Sequence, residues 1–380
     1  MKKKVLHFIH GFSMGGAETL VKEYCLKLNK DKFDVSVLCF HRYDTPYEEL
    51  LAKAGVRVVY LSDQIKNYKK ISKKQPGRTW MLIKRCFMIR KFIRKEAPDI
   101  IHMHLSLNGY VWFANPKKGT RMFLTVHNEP KKRWTNSIGH RIDFIAAKSL
   151  IKKYHMRFIT LHDGMRNEIN EMFEVKDSVV LNNGIDFSRF ENTLSKEVVR
   201  EREGIPKDAY VIGHVGRFNP QKNHPLLIKA FDKIQKAHEN VFLLMIGHGN
   251  LMDETKQMIA DMGLEKKCMI LTQRPDVPDL MAAMDKFVFP SVFEGLGIVL
   301  IEAQKMGLEC VISDAVPEAA VVSNLVTRVE LTRSPEEWAE EIMNFHVENV
   351  EYYGIENWDM NNVVSSLEEL YIDESNQVLF

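Results

Sequence analysis

The chain has 380 residues, 45% hydrophobic and 27% charged, a balance that excludes both a disordered chain and a collagen-like fibre. At about 100–200 residues per domain, the length predicts two domains. The net charge of +3 conceals a split: residues 1–183 carry 35 Lys and Arg against 17 Asp and Glu, and residues 184–380 carry 18 against 33.

No run of 18 apolar residues is present, which argues against a transmembrane helix. The opening, MKKKVLHFIH, has the basic start of a signal peptide. Its apolar run is short, holds His7 and His10, and leads into Gly-Gly-Ala-Glu with no cleavage pattern. It reads as a first β-strand. Five scattered cysteines (25, 39, 86, 268 and 310) include no CxxC pair. That fits a reducing cytoplasm and speaks against a disulfide frame or a structural zinc site.

In chain order, short apolar runs alternate with amphipathic stretches. Strands are predicted at 4–10, 33–40, 56–61, 99–104, 121–126 and 157–161, then at 210–216, 241–246, 268–272, 286–290 and 309–313. Runs this apolar suit strands buried on both faces of a parallel sheet. The strand–helix alternation makes the fold class α/β with right-handed crossovers. It occurs twice, so two Rossmann-like domains facing each other across a cleft are expected. The boundary falls near 182–190, giving domains 1–183 and 184–357. A final amphipathic helix spans 358–372.

In open parallel sheets, ligands bind beyond the carboxyl ends of the strands. After the first strand comes Gly11-Phe12-Ser13-Met14-Gly15-Gly16-Ala17-Glu18, where glycines and a helix N-terminus would suit an anion or form an ordinary turn. It is not GxGxxG, and no acidic residue ends the second strand, so a nicotinamide site is disfavoured. His127 ends the run Leu-Thr-Val-His-Asn and either lines a cleft or packs structurally. His102 and His104 share one strand face and look like a metal pair. No third ligand is apparent, and packing or cleft lining is the favoured role. Further on, Gly216-Arg217 and Lys222 place two cations at a strand end, where a diphosphate could bind. The most informative stretch is Ser291-Val292-Phe293-Glu294-Gly295-Leu296-Gly297. A helix is expected to begin near Gly295, with Glu294 just outside it and Glu302 about two turns in. Free amides there suit an anion, and a carboxylate can hold vicinal hydroxyls.

Together these stretches resemble glycosyltransferase family 4, the retaining nucleotide-sugar transferases of the GT-B fold, and most of all its bacterial exopolysaccharide and capsule branch. The marks are Gly15-Gly16-Ala17-Glu18, Val126-His127-Asn128, Asn182-Asn183-Gly184-Ile185-Asp186 with Arg189-Phe190, and Gly216-Arg217 with Lys222-Asn223. They continue with Gly247-His248-Gly249, Asp276-Val277-Pro278, Glu294 and Glu302, and Ser313-Asp314 with Pro317-Glu318. The resemblance implies that Arg217 and Lys222 hold the donor diphosphate and that Glu302 binds the ribose. Glu294 and the amides of Gly295, Leu296 and Gly297 would hold the transferred sugar, and the turn at Gln273-Arg274 would frame the base. His127 would meet the sugar or the reacting oxygen, with Gly15 and Gly16 approaching the diphosphate on cleft closure. It also implies that the final helix, 358–380, packs back on the first domain. UDP is the implied nucleotide, the sugar a hexose or N-acetylhexosamine, and the acceptor a polyprenyl-diphosphate-linked saccharide or other glycolipid.

No Asp-x-Asp occurs, so no metal or other cofactor is expected, and protein cations would stabilise the leaving diphosphate. No covalent nucleophile is assigned, with Glu294 as the minority option. Residues 66–95 hold twelve Lys and Arg, no acid, and an apolar face that includes Trp80 and Phe87. This reads as a surface for an anionic membrane or as a core helix with solvated basic faces. No nucleic-acid motif accompanies it. The expectation is a cytoplasmic enzyme on the inner membrane face. The alternative is a catalytically inactive nucleotide-sugar-binding scaffold on the same fold.

Overall fold

The computed structural model describes residues 2–13, 15–64, 78–127, 130–135 and 138–373. Asn128, residues 66–77 of the basic stretch and residues 374–380 of the final segment lie outside them. The chain divides into two compact units, Met1–Gly184 with Met360–Phe380, and Ile185–Asp359.

In the first unit, the strands are β1 (Lys3–Ile9), β2 (Phe33–Cys39), β3 (Arg57–Tyr60), β4 (Ile100–His104), β5 (Arg121–Thr125), β6 (Arg157–Thr160) and β7 (Val179–Val180). They form one parallel sheet in the order β3-β2-β1-β4-β5-β6-β7. The second unit has β8 (Tyr210–Val215), β9 (Val241–Ile246), β10 (Cys268–Leu271), β11 (Lys286–Phe289), β12 (Glu309–Ser313) and β13 (Val326–Val329). Their order is β10-β9-β8-β11-β12-β13, again parallel. In each sheet the order reverses once, at β1/β4 and at β8/β11, which are the positions where such sheets take ligands.

Alternation explains why both faces are covered. Phe242, Leu244, Ile246, Phe287 and Phe289 join one apolar cluster of the second unit. Their neighbours Val241, Leu243, Met245 and Val288 join the other. A strand apolar at every position can satisfy both faces only between helices. Strands β7 and β13 escape the sequence reading for the opposite reason. β7 is two residues long, and β13 includes the exposed Arg328, so neither gives an apolar run.

The helix Met360–Ile372 belongs to the first unit. Met360, Val363, Val364, Leu367 and Tyr371 recur at helical spacing and are buried against Val5, Tyr24, Ile100 and Phe123. Arg121 closes the helix end by donating to the carbonyls of Leu370 (2.9 Å) and Tyr371 (2.8 Å). Glu368 accepts from the Asn29 amide at 2.7 Å and pairs with Lys32 at 3.1 Å.

Candidate active site

Two loops meet at the carboxyl end of β8 and β11. The Val292 amide donates to the Gln221 carbonyl at 2.7 Å, and the Gln221 side-chain amide donates to the Phe293 carbonyl at 3.0 Å. Asn219 caps the short turn Pro220–Lys222 by accepting from the Lys222 amide at 3.3 Å. These bonds aim Lys222 at Glu294. Their ion pair is 2.5 Å long, with side chains 13% and 6% exposed. The Lys222 ammonium also stands 4.3 Å from the centre of the Phe289 ring, a cation–π contact. Arg217 is exposed and has neither hydrogen bond nor ion pair among the described residues. Behind it the backbone is tightly packed: a Cβ on Gly249 would come within 2.2 Å of the Phe218 carbonyl oxygen. The buried imidazoles of His214 and His224 are held low, first by burial. Lys222 and Arg217 therefore carry the positive charge at this strand end.

The loop corrects one sequence expectation. The helix after β11 begins at Ile298, not near Gly295. Gly297 is its N-cap at φ +86°, a left-handed conformation that L side chains resist. Glu302 is therefore about one turn into the helix, not two. Gly295 is exposed, and Leu296 turns its side chain into the core. Burial pushes the Glu302 carboxyl up to about 7, and Arg189 nearby opposes the shift. Arg189 is the charge that sequence reasoning left without a role, although it stands in the motif Asn182–Phe190. Its guanidinium also donates to the Pro275 carbonyl at 3.2 Å.

Arg274 is engaged elsewhere. It makes a fork of bonds to Glu203 (2.7 and 2.8 Å) and to Asp276 (2.8 and 2.6 Å). Its charge is shared within this cluster, and the chain turns beside it at Gln273, φ +53°.

In the first unit, Gly15 caps the helix Gly16–Lys27. The Glu18 carboxylate already faces this terminus and accepts from Ser13 at 3.0 Å. His127 follows β5, with its Nε2 3.2 Å from Nδ1 of His104. His102 and His104 are fully buried, so they line no surface. The third imidazole that the sequence did not reveal is His7, whose Nδ1 is 3.1 Å from Nε2 of His104. The three rings offer nitrogens within 4.8 Å of one another. His102, however, commits both nitrogens to Tyr371 (2.6 Å) and Thr125 (2.7 Å), so hydrogen bonding accounts for the arrangement.

Residues 14–189 match the family model Glycosyltransferase Family 4, and residues 195–351 match Glycosyl transferases group 1. The chain belongs to glycosyltransferase family 4. It is 28% identical to the glycosyltransferase EpsF of Bacillus subtilis, over 90% of this chain and 87% of that one. It is 29% identical to the UDP-Gal:α-D-GlcNAc-diphosphoundecaprenol α-1,3-galactosyltransferase of Escherichia coli, over 78% and 76%. The crystal structure of a glycosyltransferase from Rickettsia africae superposes with a TM-score of 0.73 at 17% identity, over the whole of both chains. The two parallel-sheet units are those of the GT-B fold.

As a family 4 glycosyltransferase, the chain carries its candidate donor groups at the β8/β11 reversal. Lys222 and Glu294 are in contact, Arg217 is open to solvent, and Glu302 is on the helix that follows the same loop. The basic helix of the first unit spans Arg78–Glu96. Ile89 and Ile93 face the core, while Trp80 (62%), Ile83 and Phe87 (59%) are exposed. Trp112, Ile142 and Ile145 are also exposed, on the helices Asn108–Ala114 and Ile138–Tyr154. No helix among the described residues is long and apolar enough to cross a membrane.

Proposed function

We propose that this glycosyltransferase moves a hexose or N-acetylhexosamine from a UDP-sugar to a polyprenyl-diphosphate-linked saccharide, with retention of configuration and without a metal, in the building of an exopolysaccharide or capsule. The observation that carries this reading is the Lys222–Glu294 pair beside the solvent-open Arg217 at the β8/β11 reversal. As the sugar leaves, charge accumulates on the diphosphate. Arg217 and Lys222 offer donors to it, and fixed donors cost no reorganisation at that moment. Lys222 then exchanges part of its pairing with Glu294 for phosphate, and Glu294 is freed to accept from sugar hydroxyls. Glu302 accepts from the ribose, and the turn at Gln273 frames the base. His127 faces the sugar, and Gly15 and Gly16 approach the diphosphate.

The acceptor reading is supported by the E. coli relative, whose name specifies a diphosphoundecaprenol-linked sugar. It is supported also by the exposed face of Trp80, Ile83 and Phe87, flanked by Lys84 and Lys91. Apolar side chains flanked by cations suit the anionic inner face of a cell membrane, and on this reading the enzyme is peripheral and cytoplasmic. The test is transfer from UDP-sugars to extracted lipid-linked saccharide in EDTA, with the new linkage read by NMR. An α-linked product from an α-linked donor is expected; an inverted linkage, or a strict need for added metal, overturns those parts of the proposal.

A further inference from the structure

Behind His127 runs a buried line of imidazoles. Strand register sets His7 on β1 beside His102 on β4, and His104 beside Thr125 on β5. His127 follows β5 by two residues. Nε2 of His127 is 3.2 Å from Nδ1 of His104, and Nε2 of His104 is 3.1 Å from Nδ1 of His7. Burial drives His7 down to about 3 and holds His104 well below the ordinary value, with the neighbouring imidazoles adding to the shift of His104. Both rings are therefore neutral near pH 7, each with one N–H and one lone pair.

The two neutral rings, His7 and His104, have only two proton arrangements between them, because every contact needs one donor and one acceptor, and each arrangement sets what Nε2 of His127 must do. If Nε2 of His7 is protonated, each ring in the line is protonated on Nε2. If it is bare, each is protonated on Nδ1. Nε2 of His7 is buried and has no hydrogen-bond partner among the described residues. A buried N–H without a partner is rarer than a bare acceptor, so the second arrangement is favoured. In it, Nδ1–H of His7 donates to His104, Nδ1–H of His104 donates to Nε2 of His127, and the proton of His127 sits on Nδ1. Histidine in water prefers the opposite form.

We propose that His104, backed by His7, is a positioning residue that fixes His127 as its Nδ1–H tautomer, with Nδ1–H as the one hydrogen-bond donor of that ring. The catalytic use of that donor rests on the reading that His127 faces the transferred sugar. A second nitrogen held by a fixed partner is the general way a protein chooses an imidazole tautomer, and a wrong tautomer in an otherwise intact site is costly.

The experiment is long-range 1H–15N correlation on the full-length protein labelled with 15N-histidine, near neutral pH. Protonated Nδ1 and bare Nε2 are expected at His7, His104 and His127; a proton on Nε2 of His127 overturns the proposal. In His104→Asn, whose amide can still donate towards His127, the His127 pattern is retained. In His104→Leu it shifts towards Nε2–H, and kcat falls about tenfold with donor KM little changed. An unshifted His127 pattern in His104→Leu overturns the proposal. Should that variant lose its dispersed spectrum, His7→Leu carries the same test, since it frees both rings to change tautomer. If the tautomers are as described but His127→Ala leaves turnover intact, the relay stands and the placement of His127 at the sugar fails.

Discussion

Arg217 and Lys222 were paired by sequence as two phosphate-binding cations, but the structure gives them different physical lives. Arg217 is exposed and Lys222 is locked to Glu294, with little of either locked side chain in water. Removing Lys222 leaves a buried carboxylate without its counter-charge, which costs about 3 kcal/mol. Arg217→Ala should leave the urea midpoint unchanged and lower turnover roughly 100-fold; Lys222→Ala should lower both. Equal stability losses in the two variants would contradict this division. Glu302 gives a second residue-level test. Its carboxyl is raised from 4.5 to about 7 by burial, so the folded state favours the protonated form. Its contribution to stability is full below about pH 4.5 and falls as pH rises towards 7. Ribose hydroxyls donating to the ionised carboxylate reverse the preference. UDP affinity should therefore rise between about pH 6 and 8, with proton release measurable by calorimetry in two buffers. Glu302→Gln should bind weakly with no such rise.

Elements were more legible than their ends. Continuous apolar runs such as Val241–Ile246 announced buried parallel strands, and those strands stand within two residues of their predicted bounds. The helix after β11 was misplaced because its first three candidate residues, Gly295-Leu296-Gly297, are compatible with a helix start by composition. A positive φ at Gly297 is a backbone fact that composition does not carry. The imidazole cluster was hidden for a different reason: His7 and His102 are 95 positions apart in sequence and become neighbours only through the register of β1 on β4. The helix Arg78–Glu96 presents the reverse case, since its exposed stripe of Trp80, Ile83 and Phe87 follows helical spacing already visible in the chain. Trp80→Ser with Phe87→Ser should abolish sedimentation with phosphatidylglycerol vesicles at low salt and leave thermal stability unchanged, because both rings already face solvent. Binding that survives this double change and is insensitive to salt would contradict a membrane role.

At the scale of the whole molecule, the charge split follows the two units: the basic first unit holds the exposed aromatic helices, and the acidic second unit holds Arg217, Lys222, Glu294 and Glu302. A cationic group in acidic surroundings is less readily dismissed as background, which is why these residues stood out by sequence. The family was legible because its marks are spread along the whole chain in fixed order, and two family models match in that same order. Sugar and acceptor specificity were not legible, because they depend on how loops after several strands converge, and no local pattern encodes that. The account turns on a donor site that uses Glu302 and needs no metal. The measurement is nucleotide release from a panel of UDP-, GDP- and ADP-sugars in EDTA, with and without lipid-linked saccharide, for the wild-type chain and Glu302→Ala. Release from one UDP-sugar, raised by the lipid and lost in the variant, is predicted. Silence across the panel together with no donor binding, or release that Glu302→Ala leaves intact, would contradict it.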